Sequence, residues 1–173
     1  AFKAKYPEAE KLFLFRGQEN IYFDHEELSR RNISVREAYG LVRREAESET
    51  WIAKIYDREE LLSEKDLGEI GERVRHSFHP QKGGDMYIIP RPDCFTPGGP
   101  AARAGTSHGT PYECDANVPL IFLWPRLNAG AVGRGVRTVD LAPTLARIFG
   151  VKAPANVDGE ILPEALSGPK SKN

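Results

Sequence analysis

Between Leu12 and Phe78, short apolar runs alternate with segments whose apolar positions recur every three or four residues. "LFLF" (Leu12–Phe15) and "IYF" (Ile21–Phe23) flank a polar turn and predict two strands. In "SVRE", Ser34 stands three residues ahead of Glu37, the spacing of a capping box, so a helix is expected to start there. Val35, Ala38, Tyr39, Val42 and Ala46 give it one apolar face. "WIAKIY" (Trp51–Tyr56) follows as a strand and completes a small strand–helix–strand subdomain. Asp57 with Glu60, and Ser63 with Asp66, mark two further helix starts. Leu67, Ile70 and Val74 form the inner face of the second, in spite of Gly68 and Gly71. Reactive side chains do not cluster in this half, and its expected role is architectural.

Beyond Phe78 the pattern changes. "DMYII" (Asp85–Ile89) predicts a strand ended by Pro90 and Pro92. The stretch from Pro90 to Pro111 is so dense in glycine and proline that regular structure is not expected there. Long loops of this kind are usually functional or disordered. "VPLIFLW" (Val118–Trp124), apolar at every position but the proline's own break, reads as a strand buried on both faces. "RTVDLAPTLARIFGV" reads as a helix that Asp140 can cap and Gly150 can close, with Pro143 tolerated in its first turn. Leu141, Leu145, Ile148 and Phe149 supply its buried stripe. Strand, long loop, strand, connection and helix make the rhythm of an open α/β sheet, in which ligands gather in loops at strand ends. Asp85–Ile89 and Val118–Trp124 are expected to be neighbours in one sheet, with helix Asp140–Phe149 packed across it. The tail "SGPKSKN" is expected to be disordered.

Composition narrows this picture by exclusion. The chain has 173 residues with 24 basic and 25 acidic side chains, so no charge excess marks a nucleic-acid-binding surface or an anionic membrane as partner. No apolar run approaches the ~20 residues of a membrane span. Cys94 and Cys114 are too few for a disulfide framework; one bond between them is open, and plain buried thiols are preferred to a metal pair. The chain begins "AFKAKYPEAEK", with neither an initiator methionine nor a signal peptide.

The candidate chemistry centres on His108, set among Gly105, Thr106, Ser107 and Gly109 ahead of the apolar run. Small neighbours let backbone approach a ligand closely, and an imidazole there can be a metal ligand, a general base or a satisfied polar residue. His76 and His79 in "HSFH" are spaced to share a helical face, but Pro80 ends any helix, which favours a solvated helix end. His25 reads as surface. "GTSHG" fits GxSxG with Ser107 at the nucleophile position, yet it lies in a loop that leads into a strand, and no histidine follows downstream. Thr106 and Ser107 therefore read as turn formers. A P-loop, GxGxxG and HExxH are absent, and "KGGD" is a glycine turn feeding a strand.

Taken in order, "GGDMYIIPRPDCF", "TSHGTPYECDANVPLIF", "VRTVDLAPTLARIFGV" and "VDGEIL" resemble the C-terminal portion of the alkaline phosphatase superfamily, over roughly Phe78–Leu166. The closest look is to the branch of type I phosphodiesterases, nucleotide pyrophosphatases and related phosphate-monoester hydrolases. The resemblance implies an α/β fold: a partial alkaline-phosphatase-like sheet with flanking helices, preceded by the small strand–helix–strand subdomain. It divides the chain into an accessory part over 1–78, the C-terminal part of a metal-hydrolase core over 79–166 and a tail over 167–173. It further implies a two-zinc site at which a Thr or Ser alkoxide attacks phosphorus, with His108 as the last protein ligand of one zinc. Neutral imidazole is a good zinc donor, and paired metals can serve both the attacking and the departing oxygen. By the same resemblance, the nucleophile and the other ligands are expected on segments preceding Ala1, so this chain alone is expected to be inactive. Relatives commonly carry "DTHVP" where this chain has "DANVP" (Asp115–Pro119), so Asn117 is taken as support and not as a ligand. Asp115 can orient His108 as a hydrogen-bond acceptor, or can simply cap the loop. The expected substrate is a phosphate ester, the expected partner is the remainder of the catalytic domain, and the expected location is periplasmic or secreted. The competing expectation is a non-catalytic α/β interaction module without a metal site.

Overall fold

Phe13–Gly17 (β1) and Asn20–Phe23 (β2) pair as an antiparallel hairpin, led by a 3-10 turn over Ala9–Leu12. The computed structural model describes residues 6–17, 19–94, 108–125 and 127–166. Helices His25–Arg30 (α1) and Val35–Ala46 (α2) follow, then Ile52–Asp57 (β3), Arg58–Leu62 (α3), Gly68–Ser77 (α4) and Met86–Pro90 (β4). The strands form one four-stranded sheet in the order β1-β2-β4-β3, antiparallel throughout. Its third strand comes from beyond residue 78, so the sheet joins the two halves of the sequence.

Local signals account for most of these elements. Ser34 accepts a hydrogen bond from the Glu37 amide and starts α2, and Asp57 and Glu60 form a complete capping box on α3. Asp24 caps α1 in the same manner through the Glu27 amide. The start of α4 is displaced from expectation: Ser63 ends α3, and the helix begins at Gly68, whose amide Asp66 accepts.

Successive side chains of a strand point to opposite faces, and both faces of this sheet are covered. Ile55 and Met86 point into a cluster with Leu12, Phe23, Leu28, Tyr39 and Val42, beneath α1 and α2. Their neighbours Tyr56 and Ile89 point the other way, into a smaller cluster with Leu61 and Val74 of α3 and α4. The stripes expected on α2 and α4 are the faces that pack. Two helical layers around a sheet bury enough apolar surface to stabilise a unit of this size.

The chain divides into two compact units, Ala1–Val118 and Pro119–Asn173. The first holds the sheet and a short helix, Glu113–Ala116 (α5). In the second, helix Leu141–Phe149 (α6) closes at Gly150 in the left-handed conformation, as expected. Its centre is polar: the Thr144 hydroxyl donates to the Asp140 carbonyl at 2.7 Å and accepts the Leu162 amide at 2.9 Å. Asp140 does not cap α6 with its side chain, because its carboxylate accepts the Arg137 and Glu160 amides instead. Here the stripe expectation fails. Leu141 and Phe149 are exposed, and Pro143 and Thr144 are the buried positions of α6.

The strand expected at Val118–Trp124 does not form. These residues have no regular secondary structure and no strand pairing, and Ile121 and Leu123 are 82% and 96% exposed. A strand apolar on both faces needs neighbours along its edges and layers above and below. Among the described residues it has no strand partner, so it is not next to β4 in the sheet. Cys94 and Cys114 are free thiols, the first half-buried and the second exposed, which removes the bond and corrects the expectation that both are buried.

Candidate functional site

The segment carrying His108 is built outward from the end of β4. Tyr112 lies against the cluster formed by Tyr56, Leu61, Val74 and Ile89, and its hydroxyl donates to the Pro90 carbonyl at 2.7 Å. The next residues turn into α5, where the Asp115 and Ala116 amides return to the Tyr112 carbonyl. From α5, the Asp115 carboxylate reaches back along the chain: its Oδ2 accepts the Thr110 amide at 2.9 Å and the Thr110 hydroxyl at 2.6 Å. Between that brace and His108 stands only Gly109, at φ 89, a conformation that suits a residue without a side chain.

Arg73 of α4 holds the same segment from outside. Its guanidinium donates to the Pro111 carbonyl at 3.0 Å and to the Glu113 carboxylate at 2.6 Å, while Glu69 one turn earlier accepts at 2.7 Å. A planar fork suits this task because it can serve several acceptors from one side chain.

His108 is exposed and makes no hydrogen bond among the described residues. Asp115 is half-buried, and its carboxyl lies below the usual carboxylate range. The largest causes are the bonds from the Thr110 hydroxyl and amide, and the His108 charge adds to them. A carboxylate so held stays ionised, and its Oδ1 carries no hydrogen bond among the described residues. An exposed imidazole has the donor chemistry zinc takes, but among the described residues no hydrogen bond joins His108 to Asp115, whose partner is Thr110. The arrangement is not a finished metal centre: no group of three or more His, Cys, Asp or Glu side chains converges among the described residues.

The remaining sequence candidates fall elsewhere. His79 uses Nδ1 to accept the Gln81 and Lys82 amides in the turn after α4, and His76 is exposed at that helix end, so the pair forms no ligand set. His25 is not merely surface: its Nε2 lies 2.9 Å from Oδ1 of the buried Asp85. Asn117 is exposed and ends α5. Thr106, Ser107 and the tail 167–173 lie outside the described residues. The sheet is antiparallel and has no common C-terminal edge at which loops could gather, and the segment after His108 is fastened instead at the end of β4 through Tyr112. Thr110, Tyr112 and Arg73 went unforeseen. Arg73 precedes Pro111 by 38 positions, and no local pattern links them.

No family model matches the chain. Alkaline phosphatase PhoD of Zymomonas mobilis subsp. mobilis is 31% identical over 98 residues, covering 56% of this chain and 17% of that protein. Alkaline phosphatase PhoK of Sphingomonas sp is 29% identical over 93 residues, covering 53% of this chain and 17% of that protein. Among solved structures, wild-type alkaline phosphatase PafA matches with a TM-score of 0.77 and 19% identity, over 89% of this chain and 29% of that one. The architecture is therefore a mixed α/β fold shared with a part of an alkaline phosphatase. At partial coverage, the chain is related to the alkaline phosphatase superfamily. It spans 17% of the length of these two curated relatives.

Proposed function

We propose that this chain is the C-terminal part of a zinc-dependent phosphate-ester hydrolase and that His108 donates to one of its two zinc ions. The observation that carries the reading is the state of His108, an exposed imidazole without a described hydrogen bond, on a segment fastened to the end of β4. In this reading the motif-bearing stretch 79–166 belongs to the catalytic core, and 1–78 is an accessory part joined to it through β4. The nucleophile and the other donors belong to the much larger remainder that the coverage of the relatives implies. The exposed apolar stretch 118–123 supports the same view, since its pattern suits a strand with neighbours that the described residues do not supply.

His108 would hold the metal, and Asp115 would fix the ring through its open oxygen, keeping the donor nitrogen directed at the ion. When bound, the paired zinc ions supply Lewis acidity to the phosphoryl group and lower the pKa of a coordinated nucleophile. Thr110 contributes by holding Asp115 ionised and in place. In the same reading the substrate is a phosphate ester, and the location is periplasmic or secreted, as the family resemblance implies. Among the described residues, no helix is long and apolar enough to cross a membrane.

The test compares this chain with the intact parent. The chain alone is expected to leave p-nitrophenyl phosphate unhydrolysed, while the zinc-loaded parent turns it over. His108→Ala in the parent is expected to lower zinc affinity and kcat/KM by about 100-fold or more. Turnover by the isolated chain, or an unaltered zinc affinity in that variant, would overturn the proposal.

A further inference from the structure

We infer that Arg73 is a positioning residue for His108, acting through the Pro111–Glu113 segment; the inference rests on the zinc reading above. Arg73 lies on α4, whose other face is anchored by Val74 in the buried cluster behind the sheet. Its guanidinium is aimed by Glu69 and ends on two acceptors just beyond His108, the Pro111 carbonyl and the Glu113 carboxylate. Between those acceptors Tyr112 is seated on the same cluster and tied to Pro90. Asp115 then returns to Thr110 and closes the last gap. Within the segment Thr110, Asp115, Ala116 and Asn117 each donate their amides, while Glu113, Pro111 and Tyr112 are held from α4 and β4.

The physical consequence is a rigid path from a helix of the accessory part to the metal donor. Only Gly109 intervenes between the braced residues and His108. A zinc donor held in place loses less freedom on binding than one on a loose loop, so a support of this kind contributes to affinity without touching the ion. Lysine at position 73 would keep the charge but could not reach both the carbonyl and the carboxylate in one plane.

The experiment uses the intact parent protein, with zinc affinity measured by competition against a chelator. Arg73→Met is expected to weaken zinc binding about tenfold, and Arg73→Lys to recover part of that loss. Amide exchange at β2 and β4 is expected to be unchanged in both variants. The decisive measurement is the double variant: added to His108→Ala, Arg73→Met is expected to cause no further loss, because it acts through that histidine. Glu113→Gln, which removes the opposite charge without touching the cluster, is expected to weaken binding in the same direction. Wild-type affinity in Arg73→Met, or an additive loss in the double variant, would overturn the inference while leaving His108 as a ligand. An unaltered affinity in His108→Ala would overturn both.

Discussion

Two buried aspartates carry more of this structure than their local sequence suggests. Asp85 stands where the pairing of β2 with β4 ends, and its Oδ2 accepts the Phe23 amide at 2.8 Å in place of a strand carbonyl. Its own amide donates to Ile21 and its carbonyl accepts Arg58, so one residue joins β2, β4 and α3. Asp85→Ala would leave the buried Phe23 amide without a partner, and urea unfolding is expected to show a loss of about 2 kcal/mol. Asp140 does comparable work in the second unit. Its carboxyl lies below the free value of 3.8, chiefly because the Glu160 and Arg137 amides donate to the ionised form. A depressed carboxyl stabilises the fold fully above its unfolded pKa, and that contribution disappears as pH falls through the folded value. Protection of the Glu160 amide from exchange is therefore expected to hold at neutral pH and to fall only as pH drops below 3.8. Asp140→Asn should flatten that profile.

At the scale of elements, α4 shows how packing overrides propensity. Gly71 sits mid-helix, where alanine would ordinarily be favoured by about 1 kcal/mol. A Cβ there would overlap Leu67 and lie 2.8 Å from the hydroxyl of the buried Tyr56. Overpacking costs about 1–3 kcal/mol, so Gly71→Ala is expected to lower the thermal midpoint in calorimetry. The elements themselves were largely legible: capping residues and apolar periods located α2, α3 and the strands because those signals are local. Pairing was less so. An alternation of strands and helices suggested an open sheet with Val118–Trp124 in it, yet the sheet is an antiparallel set of four drawn from both halves. A run of apolar residues reports that burial is favourable and says nothing of which surface provides it. His108 and Asp115 could be singled out from nearby residues, whereas Arg73 and Tyr112 reach the site only through tertiary contacts.

At the scale of the whole molecule, the second unit adds only Leu162 and Ala165 to the buried apolar core residues among those described. Its centre is a polar knot of Asp140, Thr144 and Leu162, while Ile121, Leu123, Phe149 and Val151 all stand more than half exposed. Contiguous exposed apolar surface draws proteins into association. The isolated chain is expected to bind a hydrophobic dye and to scatter light increasingly with concentration. Ile121→Ser with Leu123→Ser should remove most of both signals while leaving far-UV circular dichroism intact. Dye binding that survives the double substitution would place the sticky surface elsewhere.

The strand order has a kinetic corollary. β4 is the last of the four to be synthesised, yet it stands between β2 and β3, which do not touch each other as strands. During translation the first hairpin can zip early, but β3 has no edge to join until residues 86–90 leave the ribosome. Assembly should therefore come as one late, cooperative event, and a nascent chain arrested before Met86 should be open to proteases over most of its length.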